Sequence, residues 1–232
     1  AVGSTDYTTF TRSESGTLSY IGRINYSYAE KYLFEFLLRS DASTKFAPEN
    51  YWGVFPSASA GWIISEENWF KKAIPWVNFL KIRGSLGLTG RDNTAPWQWM
   101  QVYAQESDRG VLFGNSTSLG TGNRITFNKY NSAVNRDVHW DKDYKADFGL
   151  DFKVLDDRFS GTIDFYRDWN REMLMNIAQT VPGTVGTQSA ATNLGEMDNW
   201  GWEFSLNWND RIGKDFKYSI DVNTGYGDNK VL

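Results

Sequence analysis

Cysteine is absent from the 232 residues, and histidine occurs once. The first absence excludes disulfides and thiolate metal sites. With His139 alone, histidine-rich metal sites are excluded as well. Next to Trp140 at a strand entrance, His139 reads as a loop residue rather than a base. No run of 18 apolar residues occurs, so no transmembrane helix is encoded. Basic residues are not in excess: 24 Lys and Arg face 28 Asp and Glu, a net charge of −4. No basic patch stands out, which argues against a nucleic-acid partner. What the chain has in surplus is aromatic side chains, 16% of the total. An interfacial aromatic belt is a physical reason for such a surplus.

The dominant signal is a period of two. Between Thr17 and Tyr28, Leu18, Tyr20, Gly22, Ile24, Tyr26 and Tyr28 share one face; Thr17, Ser19, Ile21, Arg23, Asn25 and Ser27 share the other. A period of two marks a strand with a different environment on each face. Twelve such residues exceed the usual strand of about 5–6 and suit one tilted across a bilayer, which needs about 9–11. Seven further segments follow the pattern: 32–41, 54–64, 79–89, 144–153, 159–169, 200–209 and 216–226. In 144–153, Tyr144, Ala146, Phe148, Leu150 and Phe152 alternate with Lys145, Asp147, Gly149, Asp151 and Lys153. Pro56 lacks a ladder donor, so its strand is expected to begin at an edge or a bulge. Arg167 interrupts an apolar row near its end, where a long side chain can snorkel.

The connections alternate in length. Short ones lie at 29–31, 155–158 and 210–215; long ones span 42–53, 90–143 and 170–199. Short turns on one side and long loops on the other characterise an outer-membrane barrel. The segment 65–77 lies on the short side but is longer. There Ser65 is expected to cap a brief helix, with Trp69, Phe70, Ala73 and Ile74 on one face and Pro75 as its stop. Aromatics crowd the strand ends, with Tyr26, Tyr28, Tyr32 and Trp62 on one side and Tyr144, Trp169, Trp200 and Trp202 on the other. A soluble sandwich also alternates, but here the polar face carries charges in mid-strand.

No catalytic constellation emerges, and no cofactor is implied. Glu66–Glu67 and Asp156–Asp157 are adjacent carboxylates in turns, pointing apart, and make poor acid/base pairs. Asp141, Asp143 and Asp147 lack the Gly and distal Glu of a calcium loop. The glycine-rich run Gly114–Gly122 lacks the Gly-Lys-Ser/Thr ending of a phosphate loop. The binding candidates are Trp97, Trp99, Tyr103 and Tyr130, aromatic residues in the longest connection whose flat faces suit sugar rings. Packing of the loop onto the barrel rim is the alternative role for them. On the inward face, Lys81 and Arg83 are expected to meet Asp147 and Asp151 of the next strand in cross-strand pairs along a wet wall.

Several local words carry a resemblance: YIGRINY at Tyr20–Tyr26, KYLFE at Lys31–Glu35, FPSASAGW at Phe55–Trp62 and ISEE at Ile64–Glu67. LKIRGSLGLTG at Leu80–Gly90, RDN at Arg91–Asn93, NLGE at Asn193–Glu196 and NWGWEF at Asn199–Phe204 complete the set. In order and spacing they resemble the SusC/RagA family of TonB-linked outer-membrane transporters, over about Tyr20 to Val231. The resemblance implies a 22-stranded barrel of which this chain is a later portion, without plug or TonB-contacting segment. It further implies a SusD-like surface lipoprotein as partner, TonB as energy source through the plug, and outer-membrane lipids around the wall. Asn135–Trp140 departs from the family's word, with Arg136 in place of a proline and His139 in place of a basic residue, so a less rigid loop end is expected. The chain begins Ala1-Val2 without an initiator Met and ends at Leu232 without a terminal aromatic, and so reads as part of a longer one.

The reading is therefore all-β: an antiparallel meander of about eight transmembrane strands in the outer membrane of a Gram-negative bacterium. It would belong to a non-enzymatic importer of an oligosaccharide or peptide. A small non-transporting barrel, adhesive or structural, and a soluble carbohydrate-binding β-protein are the alternatives.

Overall fold

A computed structural model describes residues 14–101, 103–106, 112–113, 123–124, 127–130, 134–176 and 190–232. The run Gly114–Gly122 lies outside them. The strands are β1 (Thr17–Tyr28), β2 (Tyr32–Ser43), β3 (Trp52–Ile63), β4 (Val77–Arg91), β5 (Tyr103–Glu106), β6 (Leu112–Phe113), β7 (Asn123–Arg124), β8 (Phe127–Tyr130), β9 (Asp141–Val154), β10 (Phe159–Asn176), β11 (Ala191–Ile212) and β12 (Phe216–Val231). One short helix, α1 (Asn68–Ala73), precedes β4. Eight strands form a single antiparallel sheet in the order β1-β2-β3-β4-β9-β10-β11-β12. Two small hairpins, β5/β8 and β6/β7, lie within the longest connection.

Register explains why the sheet has two unlike faces. Directly paired residues share a face, so a row can be followed across all eight strands. Tyr26, Phe34, Ala60, Gly84, Phe148, Phe165, Trp202 and Tyr226 form one such row. The neighbouring row on the other face is Asn25, Glu35, Ser59, Ser85, Asp147, Tyr166, Gly201 and Gly227. A slip of one residue on any strand would exchange its faces. No second layer of the described residues covers the apolar face: Phe34 and Phe148 are each 51% exposed, and Tyr26 is 59% exposed. Ordinary monomers do not leave so wide an apolar surface to water.

The β3–β4 ladder runs only from Ile63–Lys81 to Ser57–Gly87, although both strands continue toward the long connections. Pro56 follows the last pair on β3 and has no N–H to give, in accord with the expected edge. At the opening lies a buried apolar cluster of the described residues, Phe46, Phe55, Val138 and Trp140. Phe55 and Trp140 meet edge to face at 5.4 Å, Phe46 and Trp140 at 5.2 Å, and the Trp140 indole donates to the Tyr51 carbonyl at 3.0 Å. The Phe55 ring occupies the space that a Cβ on Gly53 or Gly90 would need.

The segment after β3 departs from expectation. A 3₁₀ turn at Ile64–Glu66 comes first, so α1 starts at Asn68 with Glu67, not Ser65, in the cap position. Ser65 is buried instead. Trp69 and Phe70 do not share a face either: successive helical residues diverge by about 100°, and Phe70 is 6% exposed while Trp69 is 58% exposed. Glu67 gathers the surroundings, accepting from Lys31 Nζ at 3.0 Å, the Tyr32 hydroxyl at 2.9 Å and the Trp62 indole at 3.3 Å. These bonds, the one from Lys31 foremost, hold its carboxyl below the ordinary range. Tyr28, Tyr32 and Trp62 stack across three strands at 6.3 and 6.2 Å.

Candidate functional site: a charged wall and an aromatic rim

Lys81, Arg83, Asp147 and Asp151 lie on the charged face of adjacent strands β4 and β9, and Lys81 is the register partner of Asp151. Arg83 Nη1 is 3.1 Å from Asp147, and Nε is 3.4 Å from Asp151. A third carboxylate, Asp164 on β10, pairs with Nη2. Gly149 stands between Arg83 and Asp164 in the row, and a Cβ there would collide with both. The missing side chain lets the guanidinium cross β9. A second network joins Lys145 to Asp168 at 2.9 Å and Asp143 at 3.0 Å. On the apolar face, Arg167 reaches Asp198 at 3.2 Å and lies over the Trp169 ring at 5.2 Å.

Of the rim aromatics, Trp97 and Trp99 come together with ring centroids 6.2 Å apart. Tyr103 and Tyr130 are register partners at the mouth of the β5/β8 hairpin; their side chains lie outside the described part. Several side chains contact the loop end at Asn135–Trp140. Arg136 meets Glu49 through two contacts, at 3.0 and 3.2 Å. Asn193 Nδ2 donates to the carbonyls of His139 at 2.9 Å and Glu172 at 2.7 Å, while its Oδ1 accepts from the His139 N–H at 3.2 Å. The His139 ring bridges the Asp137 carbonyl and Glu172. The Arg136 hydrogen bond lowers the Glu49 carboxyl, and Glu49 in turn raises Arg136. Sequence reading missed Glu49, Asp164 and Asn193, because their partners are strands or loops away.

Asp141, Asp143 and Asp147 are engaged separately: Asp141 accepts from the Leu174 N–H at 2.9 Å, Asp143 pairs with Lys145 and Asp147 with Arg83. Among the described residues no group of metal-binding side chains gathers.

Long antiparallel strands, one bare apolar face, one charged face and connections of alternating length define a wall of a membrane-spanning β-barrel. No protein-family model matches the chain. It is 33% identical over 215 residues, 92% of its length, to the TonB-dependent receptor SusC of Bacteroides thetaiotaomicron. It is 30% identical over 224 residues to the TonB-dependent receptor P3 of Formosa agariphila. Over nearly its whole length the chain is thus similar to a part of TonB-dependent receptors of the SusC kind. It spans about a fifth of the length of these relatives, 20% and 21%. Among solved structures, the RagAB peptide importer in its open-open state matches 94% of the chain and 22% of its own, with a TM-score of 0.79 at 23% identity. The siderophore receptor PirA from Pseudomonas aeruginosa matches 92% of the chain and 34% of its own, with a TM-score of 0.52 at 12% identity. At these identities the two structures speak for the fold alone. The relatives are receptors and importers, not enzymes.

Proposed function

We propose that this wall belongs to an outer-membrane barrel of a Gram-negative bacterium that imports a bulky nutrient, an oligosaccharide, with energy from TonB and a SusD-like surface lipoprotein over the loops. The observation that carries the reading is the unbroken apolar row from Tyr26 to Tyr226, backed across the sheet by charged and polar residues. Such a wall has lipid on one side and water on the other. Lys81, Arg83, Asp147 and Asp151 then face the lumen, where their pairs line a wet passage. The uncharged Thr94 and Gln98 in the segment of Trp97 and Trp99, with Tyr103 and Tyr130 further along the same connection, favour a glycan. The second reading, a peptide cargo, draws on the likeness to the RagAB peptide importer.

In this arrangement the long connections lie outside the cell and the short turns in the periplasm. In the full receptor, Asp137→Cys should label in intact cells with an impermeant maleimide, and Lys214→Cys only after the outer membrane is opened. Uptake of labelled oligosaccharide should stop when TonB is depleted. Labelling in the reverse order, or uptake indifferent to TonB, would refute the proposal.

A further inference from the structure

Trp99 is met by a residue far from it in sequence, Arg136. Glu49 lies in a 3₁₀ turn between β2 and β3 and holds the Arg136 guanidinium by a fork, Oε1 to Nε at 3.0 Å and Oε2 to Nη2 at 3.2 Å. The Asn50 side chain donates to the backbone carbonyls of Arg136 at 3.0 Å and Val138 at 3.3 Å, so the main chain is held together with the side chain. In this setting the guanidinium carbon lies over Trp99, 5.3 Å from the ring centroid. One face of Trp99 is thereby covered by a cation, an arrangement the ring quadrupole favours. Trp97 stands beside it with the planes inclined at 39°. Its φ is +68°, a backbone conformation that costs a bulky residue energy and that surrounding structure must enforce. Trp97 is 43% exposed.

We propose that Arg136 is the positioning residue of a sugar-binding platform: it covers one face of Trp99 and sets the pair so that Trp97 presents its exposed ring to a neutral pyranose. The inference rests on the import reading above and specifies its ligand contact. The chemistry favours a neutral ligand because Glu49 already neutralises the cation at the platform. Thr94 and Gln98, bonded to each other at 2.9 Å, supply uncharged hydrogen-bonding groups in the same segment. Apolar faces beside neutral polar groups fit a pyranose, which carries both.

The test uses the full receptor in detergent and fluorescence anisotropy with labelled neutral α-glucan, β-glucan and xylan oligosaccharides, compared with neutral peptides of similar mass. Trp97→Ala should weaken the best-bound oligosaccharide about fivefold, the equivalent of one stacked ring. Arg136→Ala should weaken it about threefold or more, and Arg136→Lys should recover little, since an ammonium offers neither fork nor flat face. In a Trp99→Ala background, Arg136→Ala should cost nothing further, because the cation would have no ring to act through. Independent, multiplying losses from Arg136→Ala and Trp99→Ala would overturn the positioning role. Full affinity after Trp97→Ala would overturn the platform. Binding of peptides alone, or of no oligosaccharide, would overturn the sugar assignment. Heat-modifiable gel mobility reports the folded barrel; if Arg136→Ala abolishes that band, Glu49→Gln is the replacement variant and should lower affinity in the same direction. Binding in detergent needs no energy source, so loss of TonB-dependent uptake and loss of this binding are separate results.

Discussion

Placing an arginine at Phe148 tests the two-faced wall most directly. Phe148 is near the middle of the fourteen-residue β9, on the bare apolar face, with Gly84 and Phe165 as its register partners. If that face meets lipid, Arg at this depth should cost about 2–4 kcal/mol. Snorkelling toward the long connections offers little relief. In that direction Ala146 pairs with Arg167, a like charge that already holds Asp198. Asp151, three residues on, provides the contrast on the opposite face. In Asp151→Asn the Arg83 guanidinium keeps Asp147 and Asp164, so the loss should stay within about 1 kcal/mol. Guanidinium unfolding of the full receptor refolded into liposomes measures both. A difference of about 1–4 kcal/mol in that order is expected. Equal tolerance of the two substitutions, or the reverse order, would refute the assignment of the faces.

Two further outcomes follow from the described contacts. Arg83→Gln leaves the carboxylates of Asp147, Asp151 and Asp164 facing one another and should cost about 1–3 kcal/mol, part of it recovered by adding Asp164→Asn in a double-mutant cycle. Glu67 titrates below its ordinary value when folded, so its contribution is complete above the ordinary carboxylate range and disappears as pH falls through the lowered value. Acidification should therefore loosen the β2–β3 margin, read as a lower exchange protection factor, relative to the intrinsic rate at each pH, for the Ile63 amide that bonds to Lys31, and Glu67→Gln should remove that acid step.

Alternation is a local property, and it located eight strands because each inward and outward position had its own solvent. Where alternation fades, so did the reading. β10 runs on to Asn176 and β11 begins at Ala191, beyond the recognisable pattern. Register shifts between Asn170 and Leu174 disturb the period there. The hairpins of two and four residues inside the longest connection are too short to show a period. Ser65 looked like a cap because cap chemistry is common to Ser at helix starts; the intervening 3₁₀ turn displaced it. For the charged wall, adjacency of β4 and β9 could be inferred from chain order, which put Arg83 near Asp147 and Asp151. Asp164 required the third strand's register and the gap at Gly149. Glu49 and Arg136, or Phe46 and Trp140, are brought together by an opening between strands that no period announces.

That opening lies beside the pairing with the largest entropic cost in the sheet. β1–β2, β9–β10 and β11–β12 are closed by turns of a few residues, whereas β4 and β9 meet across residues 92–140. With closure entropy growing as (3/2)RT ln n, that loop costs roughly 2 kcal/mol more than a four-residue turn. The fourteen paired positions from Val77–Val154 to Arg91–Asp141 must offset this cost. The hairpins β5/β8 and β6/β7 shorten the effective loop from within, while Glu49, Asn50 and Tyr51 grip its returning end. Chain topology thus divides the wall into two locally closed halves, 17–91 and 141–231. The aromatic wedge of Phe46, Phe55 and Trp140 brings the first half against the residue that enters the second, beside the end of β3 and β4, where the ladder inside the first half is incomplete.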